Sequence, residues 1–196
     1  MKDYKGIIFT GSTFPDDPYR VIKVTPNSTI INEYIPVLNQ HITASKGTKL
    51  LITAMAIQEG FKQGTRSYKT NNPGNIGNVD SGANKAIPTL ADGIQLQVNY
   101  IQDIVNNKKS AYPMGKDVFI KPYYSPEIAA HPEYGLPANL PGYKFNFNGQ
   151  LDEFVKIYST AARASNNYLN LITSYFLQNG LTIPPTTTLQ EIITMN

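Results

Sequence analysis

"SKGTKLLITAMAIQEGFKQGTRSYKTNNPGNIGN", from Ser45 to Asn78, joins the strongest helical signal of the chain to a loop crowded with Asn, Gly and Pro. Ser45 is suited to cap a helix, because its hydroxyl accepts a backbone N–H that the first turn leaves unpaired. Behind it, Leu51, Ala54, Met55 and Gln58 recur at helical spacing and share one face. Gly60 and Gly64 then end the run, since glycine takes the left-handed conformation that closes helices. The last helical residue before this stop is a carboxylate, Glu59.

The same reading extends outward. On the N-terminal side, "STIINEYIPVLNQHI" has Ile30, Ile31, Tyr34, Ile35 and Leu38 at helical spacing, with Ser28 or Thr29 as cap. Pro36 predicts that this helix is short, kinked or late in starting. On the C-terminal side, "TLADGIQLQVNYIQDIVNNKK" predicts a helix capped by Thr89, with Ile94, Leu96, Val98, Ile101 and Val105 as its apolar set. Further helices are expected at about 150–160 and 166–179, and a short one after Pro184-Pro185. Between Ser110 and Gly149 the chain is rich in Tyr, Pro, Gly and Asn, too long for an inert connection and therefore read as a functional loop region. Residues 1–28 hold two β-like runs, Gly6–Thr10 and Arg20–Thr25, around the turn-forming "GSTFPDDP". The expected organisation is an N-terminal arm or small hairpin over 1–28 and one mainly helical domain over 29–196.

Composition removes several classes of function. The chain has 196 residues, a net charge of +3 and no cysteine, so thiol catalysis and disulfides are excluded. Basic residues are scattered, and the pair Lys108-Lys109 falls at a helix end, where cations are favoured by the dipole. Nucleic-acid binding is therefore not expected, while mild attraction to an anionic polymer such as a bacterial wall is compatible with the charge. No apolar run approaches the roughly 18 residues a membrane helix needs. The start, "MKDYKGIIFTGS", lacks the pattern of a secretory signal. With His41 and His131 the only histidines, neither a zinc site nor a Ser-His-Asp triad is expected. His41 is read at a helix end, His131 in an exposed loop.

Glu59 carries the chemistry. It lies one helical turn from Met55 and between Ile57 and Phe61, and desolvation beside such groups disfavours the anion. A protonated carboxyl at the mouth of a groove is what cleavage of a glycosidic bond requires, because the leaving oxygen must be protonated as the bond breaks. The plain alternative is an exposed acid in the last turn of an amphipathic helix. The following loop, "RSYKTNNPGNIGN", supplies amides, close-approach glycines and the ring of Tyr68, a composition suited to a saccharide wall. It is equally a good turn.

Glu59-Gly60, then Arg66, Asn71, Asn72, Pro73, Gly74, Asn75 and Ile76, then Asp92-Gly93-Ile94, and finally Tyr158, Asn166, Asn167 and Tyr168 form a series over residues 45–178. This series resembles the lysozyme-like superfamily, above all bacterial glucosaminidase and lytic transglycosylase domains and the virion-associated lysins of bacteriophages. The resemblance implies a mainly α (α+β lysozyme-like) fold, a two-lobed helical domain with a substrate groove. It implies cleavage of the β-1,4 bond between N-acetylmuramic acid and N-acetylglucosamine in peptidoglycan, without metal or cofactor. Glu59 corresponds to the catalytic acid, Asn72 and Asn75 to the loop facing the sugar, and Tyr168 to a tyrosine lining the groove. Tyr68 is the expected stacking surface.

The chain also departs from one branch of that superfamily, which places an aspartate nine residues after the glutamate; Tyr68 stands there. Asp80 is the candidate base if its loop folds back, and Asp92 reads as a helix-start residue. Without a clear second carboxylate, a one-acid mechanism is attractive: Glu59 protonates the leaving oxygen and the substrate's own N-acetyl group or C6 hydroxyl attacks. The expectation is thus a phage-encoded lytic transglycosylase or muramidase, reaching the wall from the virion or during lysis. The N-terminal arm would dock on other virion proteins. The alternative is a non-catalytic lysozyme-like structural or carbohydrate-binding virion protein. Tyr123 and Tyr124 either line the groove or pack their loop onto the core.

Overall fold

In the computed structural model the described residues are 20–77, 86–109, 111–120, 143–159 and 166–196. The expected run Gly6–Thr10, His131, Tyr123, Tyr124 and most of the Tyr- and Pro-rich region lie outside them. Among the described residues helices dominate and the one sheet has two strands, so the fold is mainly α. None of these helices is long and apolar enough to cross a membrane. The chain divides into two compact units, Val24–Asn106 with Gln190–Asn196, and Met1–Lys23 with Asn107–Leu189.

The first unit is built from α1 (Ile35–His41), α2 (Lys46–Gln58), the single turn α3 (Arg66–Lys69), α4 (Leu90–Val105) and α7 (Leu189–Thr194) from Gln190 onward. Helix α1 continues a π turn over Ile30–Tyr34, in which the Ile35 N–H bonds to the Ile30 carbonyl. That wider turn accommodates Pro36, which has no N–H to give and would crowd the preceding turn of a regular helix. The cap lies one residue before the expected pair: Asn27 Oδ1 accepts the Ile30 N–H at 3.1 Å, and its Nδ2 donates to the Phe61 carbonyl at 3.0 Å. Thr29 is buried and instead accepts the Gln63 N–H at 3.1 Å. His41 closes α1, as expected.

Helix α2 starts as the sequence indicates, with Ser45 Oγ accepting the Thr48 N–H at 3.1 Å. Its burial differs from a one-sided stripe. Six successive residues, Leu51 to Ala56, are buried, whereas Gln58 is exposed. A stretch buried on every side needs several neighbours: the π turn over Ile30–Tyr34 and α4 pack on the helix, and α7 meets its N-terminal end. Gly47 permits the last of these contacts, because a Cβ there would overlap the Ile192 carbonyl, and its own N–H bonds to Met195 at 3.0 Å. Helix α4 opens on a capping box, Thr89 with Asp92, and buries Gly93, Ile94, Val98, Ile101 and Ile104. Leu96 and Val105, expected in the core, are only half-buried. Gln97 is fully buried among the apolar residues and satisfies both ends of its amide. It accepts from the Tyr34 hydroxyl at 2.9 Å and donates to the Ile52 carbonyl of α2 at 3.2 Å.

The second unit contains β1 (Lys116–Ile120), β2 (Tyr143–Phe147), α5 (Leu151–Tyr158) and α6 (Asn167–Gln178). The strands pair antiparallel with Val118 opposite Phe145 and Phe119 opposite Lys144. The run from Arg20, expected as a strand, forms no strand among the described residues. Its alternate amides bond to α6 side chains instead: Arg20 N–H to Asn170 Oδ1 at 3.0 Å and Ile22 N–H to Ser174 Oγ at 2.9 Å. Asn170 and Ser174 are four residues apart, about 6 Å along the helix, so alternate residues of the run meet successive turns of α6. On α5, Asp152 and Lys156 sit one turn apart and both are buried. Burial pushes the Asp152 carboxyl up and Lys156 pulls it back; burial pushes the Lys156 ammonium down and Asp152 opposes that.

Gly47→Ala raises intrinsic helix propensity, yet overlap with α7 should destabilise the protein by about 1–3 kcal/mol, read from urea unfolding. Lys156→Met removes the charge that holds Asp152 down, so the folded-state pKa of Asp152 rises further. A raised carboxyl pKa favours the fold below the unfolded value and disfavours it as pH rises through the folded one. The variant should therefore lose about 3 kcal/mol at pH 7 and recover part of it towards pH ~4, in unfolding curves at the two pH values.

Candidate functional site

The end of α2 fixes Glu59. Its N–H bonds to Met55 at 2.9 Å, Gly60 adopts φ +66°, and the Gly60 and Phe61 amides return to the carbonyls of Ile57 and Ala56. This double closure ends the helix with a glycine in the left-handed region and buries the next apolar side chain, Phe61, beneath it. Glu59 is thereby the last residue before the chain turns, half-buried, at a fixed backbone position.

The Asn-rich loop comes back to it. Asn75 Nδ2 donates to Glu59 Oε2 at 3.1 Å. Two residues read from the sequence as one site are therefore in contact, 16 positions apart. Asn75 reaches the carboxylate from a left-handed backbone, φ 51°, a region asparagine tolerates better than most residues.

The other asparagines have different tasks. Asn72, expected to face the sugar, is 1% exposed and its amide is spent inside the loop. It accepts the Ile76 N–H at 3.0 Å and donates to the Ile76 carbonyl at 2.9 Å. Its own carbonyl accepts the Asn75 N–H at 3.0 Å, closing a turn through Pro73 and Gly74. Asn72 thus shapes the loop that presents Asn75 rather than presenting itself. Asn71, at φ 52°, donates to the carbonyls of Ile87 and Pro88, which tie the loop to the start of α4. Gly93 completes that seat, because a Cβ there would overlap the Asn71 carbonyl and touch Pro73. The Asp92-Gly93-Ile94 triplet is in this way a cap, a point of close approach and a core residue.

Tyr68 is half-buried on α3. Its ring leans on Phe61 at 5.6 Å between centroids, and Phe61 in turn meets Tyr34 edge-on at 6.0 Å. The Tyr68 hydroxyl donates to Glu33 Oε2 at 2.9 Å, and this bond, with burial and the Glu33 charge, raises the phenol pKa. Glu33 is a carboxylate that the sequence reading missed; it lies 35 residues away and only the packing of the π turn brings it to Tyr68. Tyr168, in the second unit, is 2% exposed and stacked on Tyr158 with centroids 5.9 Å apart and planes at 8°. Its ring is a packing element of α6 and not a displayed surface, in place of the groove-lining role expected for it. Asp80 lies outside the described residues. Among those residues no group of three His, Asp or Glu side chains is placed to hold a metal ion.

Comparison with protein-family models, characterised proteins and solved structures finds no match to this chain. The site is thus defined by its own geometry: a half-buried carboxylate at a helix end, one loop amide on it, and an aromatic cluster in the same unit. Asn72→Ala should cost about 1–3 kcal/mol, since it strands the Ile76 N–H and carbonyl. Asn75→Ala, which strands neither backbone group, should shift stability by less than about 1 kcal/mol. Thermal melts of the two variants separate the loop-shaping amide from the site amide.

Proposed function

We propose that the chain cleaves glycan strands of bacterial peptidoglycan, at the β-1,4 bond between N-acetylmuramic acid and N-acetylglucosamine, with Glu59 as general acid. The observation that carries this reading is the hydrogen bond from Asn75 to Glu59. Asn75 holds the carboxyl through one of its oxygens, and so orients the acid as well as contacting it. The amide also favours the carboxylate over the acid. As Glu59 releases its proton to the leaving oxygen it becomes that carboxylate, so the bond is stronger in the transition state than before it. Asn72 and Asn71 hold the loop in place, and Tyr68, half-buried against Phe61, supplies the aromatic ring. The substrate's own N-acetyl group or C6 hydroxyl supplies the attacking atom, the one-acid course of a lytic transglycosylase or substrate-assisted muramidase. A lysozyme-like two-lobed fold, a phage origin and delivery to the wall from the virion or during lysis belong to the same proposal.

Digestion of purified peptidoglycan with end-group mass spectrometry tests it. Anhydro-muramyl ends identify transglycosylation and reducing ends hydrolysis. Glu59→Gln should lower the rate by about 10²–10⁴-fold with the melting curve unchanged, and Asn75→Ala by about tenfold. Undiminished cleavage by Glu59→Gln would remove Glu59 from the role. Binding of the polymer with no new ends would make the chain a non-catalytic carbohydrate-binding protein.

A further inference from the structure

Helix α4 has a second feature beside the loop. A depression of 340 Å³ opens along its first half, with Ile87, Pro88 and Leu96 as apolar wall and Asp92, Gln95 and Asn99 as polar margin. That volume is at the lower end of the range for small-ligand sites. Leu96 explains part of its shape: it lies off the buried stripe of the helix, on the side of Asp92, Gln95 and Asn99, and is half-exposed, lining the depression instead of the core. The wall is firmly held, because the carbonyls of Ile87 and Pro88 accept from Asn71 at 2.9 and 3.3 Å. It is therefore anchored to the same loop that carries Asn75 to Glu59.

The polar margin has a definite hydrogen-bonding character. Gln95 and Asn99, one helical turn apart, are joined through Gln95 Nε2 and Asn99 Oδ1 at 2.9 Å. Each amide has one oxygen and one nitrogen, so this bond leaves Gln95 Oε1 as an acceptor and Asn99 Nδ2 as a donor, unengaged among the described residues. Turning both amides over exchanges the atoms and leaves the same pair. Asp92 is already engaged in the cap, since its Oδ2 takes the Thr89 hydroxyl at 2.7 Å and the Thr89 N–H at 3.1 Å.

A donor and an acceptor beside an apolar wall complement a group that carries a carbonyl, an N–H and a methyl together. We infer that the depression between the Ile87-Pro88 wall and the Gln95–Asn99 pair is a subsite for the acetamido group of an N-acetylated aminosugar. The carbonyl accepts from Asn99, the N–H donates to Gln95 and the methyl rests on Leu96 and Pro88. This rests on the glycan reading above and gives it a recognition element that would distinguish acetylated from deacetylated strands. A free amine has neither the acceptor nor the methyl.

The test is a titration of the full chain, ¹⁵N-labelled, with the trimer of N-acetylglucosamine, the trimer of glucosamine and trialanine, following the side-chain amide signals of Gln95 and Asn99. The acetylated trimer should shift both signals, and the Gln95→Leu/Asn99→Leu double variant should bind it about fivefold more weakly with its backbone spectrum otherwise preserved. The glucosamine trimer should leave them still. An equal response to both trimers, a response to trialanine alone, or no shift at either residue would overturn the subsite. Peptidoglycan cleavage with these signals silent sinks the subsite alone; shifts here in a chain that cleaves nothing sink the enzyme reading alone.

Discussion

The all-round burial of Leu51–Ala56, the middle of α2 (Lys46–Gln58), constrains everything near Glu59. A helical stretch buried on all sides carries no charge, so the charged groups of this region, Lys46 and Lys49 before the stretch and Glu59 after it, lie outside it. Ser45 and Gly47 solve the N-terminal end, one by capping and the other by admitting α7. Gln97 reaches in from α4 to a carbonyl of the buried middle. At the C-terminal end, Gly60 stops the helix so abruptly that Glu59 remains at a fixed place on its rim. A carboxylate whose backbone is held by both helical and turn hydrogen bonds is a better platform for directed proton transfer than one on a mobile loop.

The amide richness of the next segment has a mechanical origin as much as a chemical one. Asn71 and Asn75 both stand in the left-handed region, where a short polar side chain is tolerated and most others are strained. Asn71 spends its amide on the seat at α4 and Asn72 on the turn itself. Only Asn75, of the three, turns to the carboxylate. One chemically directed amide therefore needs two that keep it in place. That division explains why a loop of this composition serves equally well as a turn and as one wall of a site.

Much of this was legible in the chain. Caps at Ser45 and Thr89, the stop at Gly60, and the helices near 151–158 and 167–178 follow from local rules, because each depends on residues within a turn of one another. The pairing of Glu59 with the Asn loop was legible as a motif. The roles inside the loop were not: nothing in "NNPGN" says which asparagine turns inward. Asn72 and Tyr168 illustrate this, both read as facing substrate and both buried, one with its amide turned onto Ile76 and the other with its ring stacked on Tyr158. Glu33 was missed for the same reason, since its contact with Tyr68 spans 35 residues.

Sequence alone therefore determined the mainly helical class, the ends of the principal helices and the place of an acid at the end of the central one. These are local quantities, set by backbone propensity, capping and apolar spacing. Tertiary packing decided which side chains are spent on structure and which are presented. It chose Asn75 over Asn72 for the carboxylate, sent Gln97 into the core, set Tyr68 against Glu33 and left Leu96 lining a depression. The physical reason is that a buried polar group must find its partner wherever the fold brings one, and sequence distance does not set that choice.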